Sequence, residues 1–292
     1  MKNTKKYIPC VLTTIVLVFC VIGLLLIVLF KSYILSGNAM YDTLSRKDIY
    51  SKVYNAIDTY FSEQYNTTGI PKEVYMDAIT QDEVTELTNQ TTAKGIEYIN
   101  GSPNDLMPTY DYSVLDQSID RFFEDYATSI GYTKDDTYYQ KVQQTKDNAY
   151  LVLQYECDVF KLSTMKDAGL LDKVFKVTHY INYLMLGDIV LLVICVILLV
   201  LLNGKYFNEN MYWLSNALMV SSVIMALPCI YLKATDYFSA FTIKSDTIYH
   251  AVTGLLYGTV DRYLTMLIVS LVVGVVLMVI FGTTNKIKKS DG

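Results

Sequence analysis

Four stretches of this 292-residue chain are each at least 18 residues long and carry no charge apart from one aspartate: 7–30, 183–202, 211–231 and 264–281. About 20 apolar residues are what a helix needs to cross the hydrocarbon core of a bilayer. In that core every backbone N–H and C=O must be satisfied within the chain, so each stretch is expected to be a spanning helix. No other feature narrows the possible folds as far. The chain is 52% apolar and 18% charged, with a mean hydropathy of +0.27. A soluble cytosolic enzyme or a small disulfide scaffold does not fit that balance, and a nucleic-acid binder needs basic surface that a net charge of −5 does not supply.

Lysine placement sets the expected orientation, because lysine and arginine near span ends favour the cytoplasmic side. Lys2, Lys5 and Lys6 precede the first stretch, Lys205 lies in the 203–210 link, and Lys286, Lys288 and Lys289 follow the fourth stretch. With four spans these three segments share one side, where the seven lysines face only Glu209 and Asp291. The long 31–182 segment holds 14 basic and 23 acidic residues. Both termini are therefore expected in the cytoplasm and the acidic segment outside, in a multi-pass protein of the cell membrane. The first stretch also has the lysine-led form of a signal peptide. Its apolar run is longer than a signal core and its small-residue site near 37–39 is poor, so it reads as an uncleaved anchor.

The expected organisation is a tail and first span at 1–30, an extracytoplasmic helical domain at 31–182, and a second span at 183–202. A cytoplasmic link at 203–210, a third span at 211–231, an outer loop at 232–263, a fourth span at 264–281 and a tail at 282–292 complete it. The fold class is an all-α membrane protein: four transmembrane helices plus an extracytoplasmic helical bundle inserted between the first and second spans.

Within the long segment the periodicity is helical. Met40, Leu44, Tyr50, Tyr54, Ile57 and Phe61 fall on one broad face of a single helix that ends at Asn66-Thr67-Thr68-Gly69. Pro71 suits a first helical position. Thr80-Gln81-Asp82-Glu83 is a capping-box pattern opening a polar helix to about Ile99, and Asn100-Gly101-Ser102-Pro103 breaks the chain. A further helix starts at Ser113, carries Leu115, Ile119, Phe122, Phe123, Tyr126 and Ile130, and stops at Gly131. Another is expected over 137–160, and a last one leads from about Leu170 into the second span. The first and last helices of this domain are expected to run continuously from the spans. The 232–263 loop, with Tyr237, Phe238, Phe241, Ile243, Ile248, Tyr249, Leu255, Leu256 and Tyr257, is too apolar for a solvated linker. It is expected to pack on the bundle, to lie along the headgroups, or to dock a partner.

Residues that carry chemistry are few. Histidine occurs only at His179 and His250, both expected near the outer membrane face. They form a candidate outer-face pair to which Asp246 or Glu156 would have to be added to hold a metal, yet no HExxH or paired-cysteine spacing is present. No P-loop, nucleophile elbow or dinucleotide fingerprint occurs. No catalytic residue, metal or cofactor is assigned, and the chain is not expected to be an enzyme. Of five cysteines, Cys10, Cys20, Cys195 and Cys229 lie in the apolar stretches and only Cys157 in the long segment, so core packing must replace disulfides there. Asn66-Thr67-Thr68 and Asn89-Gln90-Thr91 match glycosylation sequons, but read as polar helix ends and faces.

Asp188, the one charge inside a span, is expected to have a partner or to be protonated, because a bare carboxylate in the membrane is unfavourable. Arg262 and Lys233 approach from the same side, and Asn216 is a further intramembrane polar contact. Ser215, Asn216, Ser221 and Ser222 are expected to bond between helices, and Ser270-x-x-x-Gly274 to let helices approach closely. Spans with so little polar lining do not suit a conducting pore on their own. The 26 tyrosines fit either an aromatic binding surface or core and interface packing. With lysine outnumbering arginine 21 to 3, they also fit an AT-rich bacterial genome.

The string YNTTGIPKEVYMDAIT at 65–80, followed by Gln81-Asp82-Glu83-Val84, resembles a segment of uncharacterised four-span membrane proteins of Gram-positive bacteria, where a Gly-Ile-Pro turn sits in a helical outer loop. That resemblance implies a cell-membrane location and brings no activity or site residues. The layout also looks like that of claudin-type proteins, but their first loop carries a Trp–Gly-Leu-Trp–Cys–Cys pattern. Here the single tryptophan, Trp213, lies inside a span. The expectation is thus a non-enzymatic envelope protein whose outer helical domain binds a partner or ligand. The alternative is an accessory or sensory subunit of a transporter or envelope-assembly complex, with Asp188 at the contact. The expected partners are the lipid bilayer and another membrane or envelope protein, with a homo-oligomer open and no nucleic acid.

Overall fold

The structure is a computed structural model that describes residues 4–46, 48–101, 106, 108–204 and 207–290. Among these residues every regular element is helical. In chain order the elements are α1 (Thr4–Leu29), a π-turn (Phe30–Ile34), α2 (Asn38–Arg46), α3 (Ile49–Thr68), α4 (Glu73–Met76), α5 (Gln81–Ile99) and α6 (Ser113–Ile130). They continue with α7 (Asp136–Cys157), α8 (Leu162–Asp167), α9 (Leu170–Asn203), α10 (Phe207–Ala234), a 3₁₀ turn (Tyr237–Ala240) and α11 (Asp246–Ser290). Four helices are long and apolar enough to cross a membrane, and they carry the four charge-poor stretches. Lys2, Lys205, Ser102, Pro103 and Asp291, which entered the orientation and boundary expectations, lie outside the described residues.

The chain divides into two compact units. The first comprises Met1–Asn38, Lys176–Phe241 and Leu256–Gly292. Here α1 packs along α10, around a core of Cys10, Leu17 and Val18 from α1, Cys195 and Leu199 from α9, and Trp213 and Ala217 from α10. Small residues permit this: Ala217 is fully buried, and thiols act as small hydrophobes. Between α10 and α11, Ser215 donates to the Gly274 carbonyl at 2.9 Å. A Cβ at Gly274 would meet Met219 Cγ at 2.8 Å, so the small-residue spacing does set a close approach. The expected glue is otherwise corrected. Asn216 donates to Tyr212, and Ser221 and Ser222 donate to Leu218, all within their own helix. A hydroxyl or amide reaches its i−3 or i−4 carbonyl without meeting another helix.

The second unit comprises Ala39–Phe175 and Thr242–Leu255. Here α3 packs on α5 and α7, and α6 packs on α4 and α7. The stripe Ile49, Val53, Ile57 and Phe61 on α3 is buried throughout, facing a core that includes Leu87, Leu115, Ile119 and Leu153. Local signals determine the ends. Gly69 takes φ +70° and its N–H closes on the Tyr65 carbonyl, and Gly131 takes φ +66° after α6. At Thr80 both halves of the capping box form: Glu83 N–H reaches the Thr80 hydroxyl, and Thr80 N–H reaches the Glu83 carboxylate.

Four expectations change. The single helix foreseen through 40–61 is two, because Asp48 adopts the left-handed conformation (φ 51°), which a short polar side chain tolerates. The break leaves both Leu44 and Ile49 fully buried. The chain also does not run unbroken out of α1: a π-turn and Gly37 at φ +79° intervene before α2. By contrast α9 is continuous from Leu170. Helix α7 stops at Cys157 rather than 160, because the buried Asp158 accepts hydrogen bonds from Leu162 N–H, Ser163 N–H and the Ser163 hydroxyl, capping the unforeseen α8. Finally, the stretch after the 3₁₀ turn is helical from Asp246. Its first residues join the second unit through Lys52, whose Nζ meets Asp246 at 2.5 Å and whose carbonyl accepts from Thr247.

Candidate functional site

Helix α6 packs on α7, and residues of both helices line a concavity together with the Gly69-Ile70 turn that follows α3. Along α6, Leu115 and Ile119 are buried, but Tyr126 is 57% and Ile130 56% exposed. The apolar stripe that continues from the core therefore emerges from it and lines a cleft of about 630 Å³. From α6 come Phe122, Phe123 and Tyr126, followed by Tyr132 in the connection to α7. From α7 come Tyr138, Lys141, Gln144, Thr145 and Asn148, which recur at three- and four-residue steps on one face. Thr68, Gly69, Ile70 and Tyr75 close the end beside the Gly-Ile-Pro turn.

Tyr75 is held rigidly. Its ring stacks on Phe61 at 4.0 Å with planes 9° apart, and burial pushes its hydroxyl up to about 12, so it stays a neutral donor. Among the lining rings, Phe123 meets Tyr138 edge-on at 6.2 Å and Phe122 meets Tyr126 at 6.4 Å. No acidic residue lines the cleft. Lys141 has no acidic partner among the described residues, while the nearby Lys134 is paired with Glu124 at 2.6 Å. The cleft thus combines aromatic surface with a single lysine, and the Tyr132 hydroxyl donates to Asp135 beside it. A concave site of several hundred Å³ with a few convergent polar groups is the usual form of a small-ligand site.

The residues singled out in the sequence are placed as follows. Asp188 lies beside the Cys20 thiol and against Gly23, where an added Cβ would sit 3.4 Å from its Oδ1. Its Oδ2 is buried without a hydrogen-bond partner. The structure does not bring Arg262 or Lys233 to it: Lys233 meets Asp261 at 2.5 Å, and the Arg262 guanidinium lies 5.9 Å from the Tyr33 ring centre. Asn216 bonds within its own helix. His179 touches only Tyr180 and Tyr183 among ring contacts, and His250 meets Asp246 at 3.2 Å. The two histidines belong to different units. Among the described residues no group of three His, Cys, Asp or Glu side chains is placed to hold a metal ion.

Glu156, the other acid considered beside the histidines, sits in a different setting. Burial pushes its carboxyl up, with Lys161 opposing, and burial holds Lys161 below the usual lysine range. The Lys161 ammonium lies 3.4 Å from the Tyr155 ring centre. A carboxyl raised on folding binds more protons in the folded state, so its contribution to stability falls as pH rises from the ordinary glutamate range through the raised value. Glu156→Gln is therefore expected to stabilise the protein at neutral pH and to flatten that fall, read from thermal unfolding at a series of pH values. An unchanged pH profile would show that Glu156 is solvated. Cys157, fully buried with its thiol pushed up to about 12 by burial, is a packing residue; all five cysteines are free.

The cleft was not legible beforehand. Phe122, Phe123, Tyr126 and Ile130 continue the helical periodicity of Leu115 and Ile119, and periodicity alone does not separate the buried from the exposed positions of one stripe. Comparison with protein-family models, with curated proteins and with solved structures finds no match to this chain.

Proposed function

We propose that this is a non-enzymatic multi-pass protein of the cell envelope, whose helical unit lies outside the membrane and binds a ligand or partner in the aromatic cleft. The observation that carries the proposal is the α6 stripe leaving the core to line, together with Lys141, Gln144 and Asn148, a cleft of about 630 Å³. Apolar rings exposed on a folded unit are retained at a cost to solubility, and a rigid wall of tyrosine gives contact area with little side-chain entropy to lose. The excess of lysine at the two ends and in the 203–210 link supports cytoplasmic termini, with the bundle as an extracytoplasmic insertion between the first and second spans.

Two measurements test this. Because the native thiols are buried, cysteines introduced at the exposed Ser129 and Thr283 report sidedness cleanly. Ser129→Cys is expected to react with an impermeant maleimide on intact cells and Thr283→Cys only after lysis; the reverse pattern would overturn the orientation. Cross-linking in native membranes, followed by isolation of the tagged chain, is expected to retain a stoichiometric companion that Tyr126→Ala loses. A companion indifferent to Tyr126→Ala would move the binding site elsewhere. The orphaned Oδ2 of Asp188 favours the second reading, an accessory or sensory subunit joined to its complex within the membrane. In that case Asp188→Asn releases the companion while Tyr126→Ala does not.

A further inference from the structure

The chemistry of the cleft walls narrows the ligand, given the binding role proposed above. Planar rings exposed on one side favour a ligand with an apolar face. Tyr126 and Tyr132 are 57% and 45% exposed, so they are open to a flat partner rather than filled by the protein. In the same cleft, Gln144, Thr145 and Asn148 supply amide donors, amide acceptors and a hydroxyl, a mixture that matches many hydroxyl groups and not a bare hydrocarbon. An acyl chain would leave those polar groups unpaired, at a loss of their hydrogen bonds to water. A pyranose ring has the required two-sided character: one face of C–H groups that packs on aromatic rings, and an edge of hydroxyls. The remaining group is Lys141, a cation with no acidic partner among the described residues, in a cleft that no acid lines. It calls for a negative charge on the ligand, and the strong negative balance of the 31–182 segment makes that preference specific to this spot.

We propose that the cleft binds a short acidic glycan, with sugar rings laid on Tyr126 and Tyr132, hydroxyls on Gln144 and Asn148, and a carboxylate at Lys141. At about 630 Å³ the space lies within the range of small-ligand sites and holds roughly two or three pyranose rings.

The test uses the full chain in detergent and calorimetric titration with two probes of equal length: a tetrasaccharide alternating uronic acid with N-acetylhexosamine, and a neutral N-acetylhexosamine tetrasaccharide. The acidic probe is expected to bind about tenfold more tightly than the neutral one. Lys141→Met is expected to abolish that difference, so that the variant binds the two probes alike, and Tyr126→Ala to weaken both by at least tenfold. Retention of the native circular-dichroism spectrum shows that each variant is folded. Equal binding of the two probes, or acidic binding insensitive to Lys141→Met, overturns the proposal. If neither probe binds, the glycan assignment is wrong; the cleft itself then stands or falls separately, on whether Tyr126→Ala still removes the companion retained by cross-linking in membranes.

Discussion

Phe61→Ala is expected to destabilise the helical unit by about 3–5 kcal/mol, the usual range for removing a buried phenylalanine. Phe61 is 1% exposed, at the last buried position of the α3 stripe. Its ring is covered by Tyr75 at 4.0 Å and met edge-on by Tyr60 at 5.5 Å. Alanine forfeits both the transfer free energy of the ring and the contacts of the cavity lining, and the rigid helices around it cannot close the gap. Because Tyr75 also lines the cleft, the same change is expected to weaken ligand binding even where the unit stays folded. Near-ultraviolet circular dichroism during urea unfolding is the suitable probe, because most tyrosines lie in this unit whereas the single tryptophan, Trp213, lies in the other one and reports it separately. A loss below about 1 kcal/mol would mean that Phe61 is not packed as described.

Gly95→Ala tests the seat of α8 on α5. A Cβ at Gly95 would stand 2.1 Å from Leu162 Cδ1, 3.2 Å from its Cγ and 3.3 Å from its Cβ, so turning the terminal methyl away does not relieve the overlap. Ordinarily alanine for glycine inside a helix stabilises, by about 1 kcal/mol. Here overpacking is expected to reverse the sign and destabilise by about 1–3 kcal/mol. Leu162 is placed by the Asp158 cap, whose hydrogen bonds to Leu162 and Ser163 hold the first turn of α8 in position. Leu162→Ala alone leaves a cavity and destabilises, yet in the double variant the new methyl at 95 occupies part of that space. The double variant is therefore expected to lose clearly less stability than the two single losses together. Stabilisation by Gly95→Ala alone, or strict additivity, would show that the helices do not meet at this glycine.

Much of the helical unit was legible because its boundaries are local. The capping box at Thr80–Glu83, the left-handed glycines 69 and 131 and the start of α9 at Leu170 depend on groups a few residues apart, and each forms where the sequence places it. Asp48 illustrates the limit. Nothing in its neighbourhood marks a helix break, since the apolar period runs through it, and the break serves to bury Leu44 and Ile49 together. Asp158 was equally silent: it reads as one more surface acid, and its buried capping role depends on where α8 must sit. The surroundings of Asp188 were legible only in part: Lys233 and Arg262 were expected on its side of the membrane, and in the structure they meet Asp261 and the Tyr33 ring.

What the sequence determined by itself was the class of the protein: all-helical, with four helices apolar enough to cross a membrane. Those properties come from the solvent that each stretch can tolerate and from hydrogen bonds closed within a few residues, and both are encoded locally. Which part of an apolar stripe ends in a core and which part lines a cleft was decided only by the tertiary structure. Tyr126 and Ile130 have the same periodicity as Leu115 and Ile119, yet Leu115 and Ile119 are buried while Tyr126 and Ile130 line a cleft beside Gly69 and Ile70. Burial is a property of what packs against a residue, and that neighbour is written elsewhere in the chain.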